Sequence, residues 1–153
     1  MLNGFRLITI KRIPIHIHWS AVFILVLVGI NIGEAAGFAV GLAAGLVFLA
    51  SVLLHELAHA FTARRFGVET DRVTLWGLGG VAAFTSESPS PRAEASIAAA
   101  GPLMSAAIGA VGMGGAYLLD RNGIDNIAVG VLFWLGLTNA VLAGFNLLPG
   151  APL

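Results

Sequence analysis

Long apolar stretches separated by short polar segments run through this chain, and four of them are candidate spans when set against the roughly 20 residues needed to cross the hydrocarbon core of a bilayer. The first runs from about Trp19 to Ile32 and extends back through Ile13 to His18; the second covers Ala35 to about Ala63. The third covers Ala93 to Leu119, and the fourth Ile127 to about Leu148. Between the second and third, residues 73–84 (Val73 to Phe84) hold two β-prone runs around glycines, the pattern of a β-hairpin. Thr85 to Arg92 is polar, carries Pro89 and Pro91, and reads as a flexible connector.

Composition agrees with a membrane setting. Hydrophobic residues make up 58% of the chain and charged residues 10%, against roughly 25% charged in soluble domains; mean hydropathy is +0.91. At 153 residues the chain is expected to be a single domain. The absence of cysteine excludes disulfides and thiolate metal sites, so any metal must be held by His, carboxylate or water. A formal net charge of zero gives no reason to expect nucleic acid as a partner.

The charges are distributed unevenly. Arg6, Lys11 and Arg12 precede the first span, Arg64, Arg65, Arg72 and Arg92 lie between the second and third, and Arg121 alone lies opposite. The positive-inside rule then turns the N-terminus, the loop from Arg64 to Arg92 and the end of the fourth span toward the cytoplasm. The first span is followed at once by another and is expected to remain as an anchor instead of being cleaved as a signal peptide. The expected fold class is an all-α polytopic membrane protein of about four transmembrane helices with a small cytoplasmic-side β-hairpin. It would be a multi-pass protein of a bacterial or archaeal cell membrane, with the lipid bilayer as a partner.

Within the second span lies His55-Glu56-Leu57-Ala58-His59. Ionisable residues are costly inside a membrane and call for a function there. On a helix, residues four apart project from one face, so His55 and His59 can offer imidazole nitrogens to one metal ion, with Glu56 beside them. Zinc suits the set: two imidazoles and a third protein ligand leave a position for water, whose pKa the metal lowers to about 7. Glu56 could take that water's proton during attack on a peptide carbonyl and return it to the departing amine. The bland alternative is a buried, hydrogen-bonded histidine pair with a glutamate partner. Counting from Arg64 at 1.5 Å per residue, Glu56 sits about 12 Å along the helix from the cytoplasmic boundary.

Ser51, His55, His59 and Thr62 form a polar seam that must face protein or water. Small residues recur every fourth position at Gly37, Gly41 and Gly45, at Gly101, Ser105 and Gly109, and at Gly136, Ala140 and Gly144; these read as generic helix packing. The hairpin's free edge could hold an extended substrate by β-augmentation, or could be a membrane-surface hairpin with no such role. At the end of the fourth span, Asn146-Leu147-Leu148-Pro149-Gly150-Ala151-Pro152-Leu153 breaks the helix on the same side as the histidine pair.

Taken together, the HELAH segment on a membrane helix, Gly79-Gly80-Val81, Ala100-Gly101-Pro102 and the segment from Asn146 to Leu153 resemble the site-2 protease family of intramembrane zinc metalloproteases. The resemblance spans nearly the whole chain. It implies that His55 and His59 bind Zn2+, that Glu56 is the catalytic base, and that the substrate is a transmembrane segment of another protein, cut in regulated intramembrane proteolysis. It also implies that Asn146, with Gly79 and Gly80, lines the substrate cleft, although Asn146 reads equally well as a helix-end cap. In relatives, the residues matching Pro152-Leu153 are followed by an aspartate, the third zinc ligand. Residues 1–153 are therefore expected to be a metalloprotease core that is a fragment, inactive as it stands if that ligand is missing.

Other local donors for the third position are His16, His18, Glu69, Asp71, Glu87 and Glu94, none at a motif position. His16 and His18 read as interfacial residues at the start of the first helix. Two rival functions remain at this level: a noncatalytic membrane module that captures substrate, and a transporter using the His/Glu group as a proton or metal-ion relay. Against the transporter, the two halves show no pair of broken-helix repeats.

Overall fold

The computed structural model describes residues 4–77, 79–124 and 126–147. In chain order the elements are β1 (Phe5–Ile10), β2 (Ile13–Ile17), α1 (Trp19–Ala36), α2 (Phe38–Arg65), β3 (Thr70–Trp76), β4 (Gly79–Phe84), α3 (Pro91–Arg121) and α4 (Ile127–Asn146). Among the described residues three helices, α2, α3 and α4, are long and apolar enough to cross a membrane, whereas α1 is apolar but shorter. The end of the expected fourth span at Leu148, and the motif from Leu148 to Leu153, lie outside the described residues.

The start of α1 departs from the sequence expectation. Ile13 to Ile17 is not a backward extension of the helix but the strand β2, and the helix begins at Trp19 with His18 as its N-cap. The imidazole Nδ1 of His18 accepts from the Ser20 backbone N–H at 3.3 Å and lies 2.7 Å from its hydroxyl. A helix running back through His18 would forgo that cap, and would draw the buried Ile13 and Ile15 out of a sheet core.

The expected hairpin over residues 73–84 is present as β3 and β4, but it is half of a larger unit. The strands form one sheet in the order β1-β2-β3-β4. Two antiparallel pairs are joined by a parallel β2–β3 ladder, with Ile15 opposite Val73 and Ile17 opposite Leu75, so the chain traverses α1 and α2 between the two central strands. One face of the sheet packs on α2: Ile13, Ile15, Val73 and Leu75 bury themselves against Val52, Leu57 and Ala60. Buried strand positions two apart and buried helix positions near one face make this the core that fixes the sheet beside the lower half of α2.

The β1–β2 connection is a two-residue turn in which Lys11 and Arg12 both take positive φ, 46° and 71°. Such hairpin turns favour Asn-Gly, and a side-chain-bearing residue in this region costs roughly 1–2 kcal/mol. A guanidinium nitrogen of Arg64, in the last turn of α2, donates to the Lys11 carbonyl at 2.9 Å and ties the turn to the helix.

Helix contacts follow the small-residue stripes unevenly. Gly41 sits against the Gly29 carbonyl of α1, and Gly109, Gly112 and Gly136 bring the α3 and α4 backbones together. By contrast, Gly37 and Gly144 face open space. α3 opens with Ser90 capping the Ala93 N–H and Pro91 at the first turn, and α4 opens with the Asn126 side chain capping Ala128 N–H.

Candidate metal centre

α2 presents His55 and His59 one turn apart on the same face, both buried at 2% and 8% exposure. Their Nε2 atoms stand 3.1 Å from each other. The opposite ring nitrogens are anchored on α3: Nδ1 of His59 lies 2.7 Å from the Ile97 carbonyl, and Nδ1 of His55 lies 2.8 Å from the Ser105 hydroxyl. A carbonyl can only accept, so His59 carries its proton on Nδ1 and keeps a lone pair on Nε2. The Ser105 hydroxyl can accept from His55 in the same way. Metal-binding histidines are held in this manner, with the far ring nitrogen donating to an oxygen.

Gly101 keeps the space in front of the rings clear. A Cβ there would collide with Nε2 of His59 and would lie 2.6 Å from Nε2 of His55. Two nitrogens each about 2.05 Å from a tetrahedral zinc would sit roughly 3.3 Å apart, close to the observed separation. The donor set fits zinc: two imidazoles with free lone pairs converging on a point from which a neighbouring side chain has been removed. Among the described residues, no third His, Cys, Asp or Glu joins them to make a three-group metal cluster. His16, His18, Glu69, Asp71, Glu87 and Glu94 all stand away from the cavity that the pair lines.

That cavity, of about 410 Å³, is lined by His55, Glu56 and His59 from α2, by Gly79 to Ala82 of β4, and by Asn146 of α4. Every site residue expected from the sequence therefore borders one space. Glu56 is 7% exposed, and Gly80 packs directly on it: a Cβ on Gly80 would strike Cγ of Glu56 and come within 2.8 Å of Oε1. Gly79 differs in kind; its φ of 150° suits glycine, with nothing within 4 Å of a would-be Cβ. Among the described residues β4 pairs only with β3, and its residues line the cavity. Asn146 donates its amide N–H to the Leu142 carbonyl at 2.8 Å, which leaves its side-chain oxygen uncommitted to that bond.

Three parts of this arrangement escaped the sequence reading: Ser105, the Ile97 carbonyl, and Gly101 in its role beside the rings. Ser105 and Gly101 belong to a stripe that reads as generic packing. The available signal was that Ser105, a polar residue four positions after Gly101, lies on an apolar helix that must face the polar seam of α2.

A model of peptidase family M50 matches residues 43–128. The putative zinc metalloprotease Rip3 of Mycobacterium tuberculosis is 40% identical over 166 residues, an alignment that takes in 100% of this chain and 42% of the relative. Zinc metalloprotease MJ0392 of Methanocaldococcus jannaschii is 34% identical over 100% of this chain and 43% of its own length. The solved structure of the site-2 protease from Methanocaldococcus jannaschii superposes with a TM-score of 0.72 at 32% identity, covering 98% of this chain and 67% of that one. The chain thus spans about two fifths of the length of the curated relatives it matches.

Proposed function

We propose an activity from one premise: the chain belongs to peptidase family M50, the site-2 protease family, whose curated members matched here are named zinc metalloproteases. In this reading the chain is the membrane-embedded core of a zinc metalloprotease that hydrolyses a peptide bond in or beside the transmembrane segment of a membrane-protein substrate. The observation that carries it is the facing pair of Nε2 atoms, each ring pinned from behind, with the Glu56 carboxyl on the same cavity.

His55 and His59 would hold the ion, and the family resemblance assigns the third protein ligand to an aspartate that is not among residues 1–153. Bound zinc would supply Lewis acidity toward water and the scissile carbonyl. Glu56 acts as general base: its carboxylate accepts a proton from the attacking water and, as the acid, delivers it to the leaving amine. Burial beneath Gly80 keeps that carboxyl in one place. A peptide bond inside a helix is shielded by its own hydrogen bonds, so the substrate must unwind before water reaches it. The edge of β4, unpaired among the described residues, offers backbone groups to an extended strand at the cavity wall, and Asn146 adds an amide oxygen that can accept from substrate backbone N–H. Single-pass regulators tethered to the cytoplasmic side of the membrane fit as substrates, given the cluster of basic residues at the Arg64 end of α2.

The test is Glu56→Gln in the full-length natural chain, reconstituted with a single-pass substrate. Zinc content and membrane insertion should match the unaltered protein, while cleavage should fall at least about 100-fold, the scale of a lost general base. Cleavage near the original rate would remove Glu56 from the reaction. Equal zinc in both proteins without any cleavage in either would point to a substrate-capturing module.

A further inference from the structure

We propose that the β1–β2 turn and the last turn of α2 together form a binding site for the headgroup of an anionic glycerophospholipid, of the phosphatidylglycerol class. A recess of about 650 Å³ is lined there by Lys11, Arg12, Arg64, Glu69 and Thr70. Three cations thus face one carboxylate. None of the three has a carboxylate partner within ion-pair distance among the described residues, where the only such pair joins Arg72 and Asp71. Arg64 spends one N–H on the Lys11 carbonyl and keeps further donors in its fork. Thr70 borders the recess, and its buried hydroxyl has no hydrogen-bond partner among the described residues.

The turn itself is a second, independent sign. Lys11 and Arg12 both occupy the left-handed region, which Asn-Gly would fill with less strain. Strain of this kind persists where surrounding contacts hold it and clusters at ligand-clamping sites. Here the Arg64 hydrogen bond holds the backbone, and the Lys11 ammonium lies 5.4 Å from the Phe61 ring centroid. The strain therefore fixes two positive charges beside a third.

The neighbouring surface identifies the occupant. β1, the outer strand of the sheet, exposes Phe5 at 81%, Leu7 at 66% and Ile8 at 54%. An apolar strand ending in a basic turn matches the boundary between acyl chains and phosphates, with the hydrocarbon stems lying in the lipid and the charges at headgroup level. An acidic peptide would satisfy the cations but would leave those three side chains in water. Glu69 adds selectivity: its carboxylate can accept from glycerol hydroxyls, which a choline headgroup lacks. The site depends on α2 crossing a membrane and is independent of whether the protein cleaves anything.

The experiment measures lipid retention by the full chain after transfer from mixed phosphatidylglycerol and phosphatidylcholine bilayers into neutral phosphatidylcholine nanodiscs, by mass spectrometry of the intact complex. The unaltered protein should retain phosphatidylglycerol. Arg64→Gln should retain about fivefold less, the loss expected for one cation at an anionic surface. The double variant Lys11→Asn/Arg12→Gly should lose more, while its thermal midpoint holds or rises, because it places preferred residues in the same turn. Excess inorganic phosphate should leave the lipid in place. Equal retention by both variants would overturn the proposal, as would displacement of the lipid by inorganic phosphate alone, which would mark a free-phosphate site. Loss of cleavage with lipid retention intact would count against the proteolytic reading only.

Discussion

Gly80 and Glu56 occupy adjoining space so closely that residue 80 has no room for a methyl group beside the carboxyl, whose Oε1 would lie 2.8 Å from it. The obstructing atoms, Cγ through Oε1 of Glu56, belong to a side chain and not to backbone, so Gly80→Ala should fold by forcing the carboxyl out of the place where Gly80 holds it. Displacements near 1 Å cost about 100-fold in well-oriented reactions. The variant is therefore expected to keep its zinc, and to lose cleavage on about that scale in a single-turnover assay with a transmembrane peptide.

Gly101→Ala is expected to act on the metal instead. Its methyl group would enter the space between the two Nε2 atoms, and the rings cannot swing away without breaking their Nδ1 contacts to Ile97 and Ser105. Zinc stoichiometry by elemental analysis should fall well below that of the unaltered protein, with helical content by circular dichroism unchanged.

Ser105→Ala removes the oxygen 2.8 Å behind His55 and leaves the His59–Ile97 contact intact. Losing one such supporting bond typically weakens metal binding about 10- to 100-fold. Competition with a chelator of graded concentration should show that drop. An unchanged midpoint would mean that His55 is held by packing alone.

Gly136→Val tests the scaffold away from the site. A Cβ on Gly136 would come 2.6 Å from the Met113 backbone nitrogen and 3.0 Å from the Gly109 carbonyl, and backbone cannot yield as a side-chain tip does. Overpacking of this kind costs about 1–3 kcal/mol, which denaturant titration in detergent should register as a lower midpoint.

Much of this architecture is legible in the residue order, for identifiable reasons. The apolar runs of α2, α3 and α4 far exceed strand length, so their type was unambiguous, and β3 and β4 announced themselves by glycines between β-prone runs. β1 and β2 did not. Phe5 to Ile17 has no glycine at its turn and uses Lys11 and Arg12 in positions that usually carry Asn-Gly, and its second half, Ile13 to Ile17, abuts an apolar helix and reads as a backward extension of it. Its partner across the sheet, Val73 opposite Ile15, lies beyond two helices and leaves no local trace. At the site, His55, Glu56 and His59 were legible because helical spacing alone brings them together. Gly80, Gly101, Ser105 and the Ile97 carbonyl meet them only through tertiary contact.

The parallel pairing of β2 with β3 also orders events during synthesis. β2 leaves the ribosome before α1 and α2, and β3 after them, so the ladder cannot zip until the intervening helical hairpin has been laid down. β4, which brings Gly80 over Glu56, follows later still, and α3, which brings Ile97, Gly101 and Ser105 behind and between the imidazoles, follows that. His55 and His59 are therefore made well before the α3 groups that anchor their rings, and the pair is fixed only when the later half of the scaffold has closed on α2.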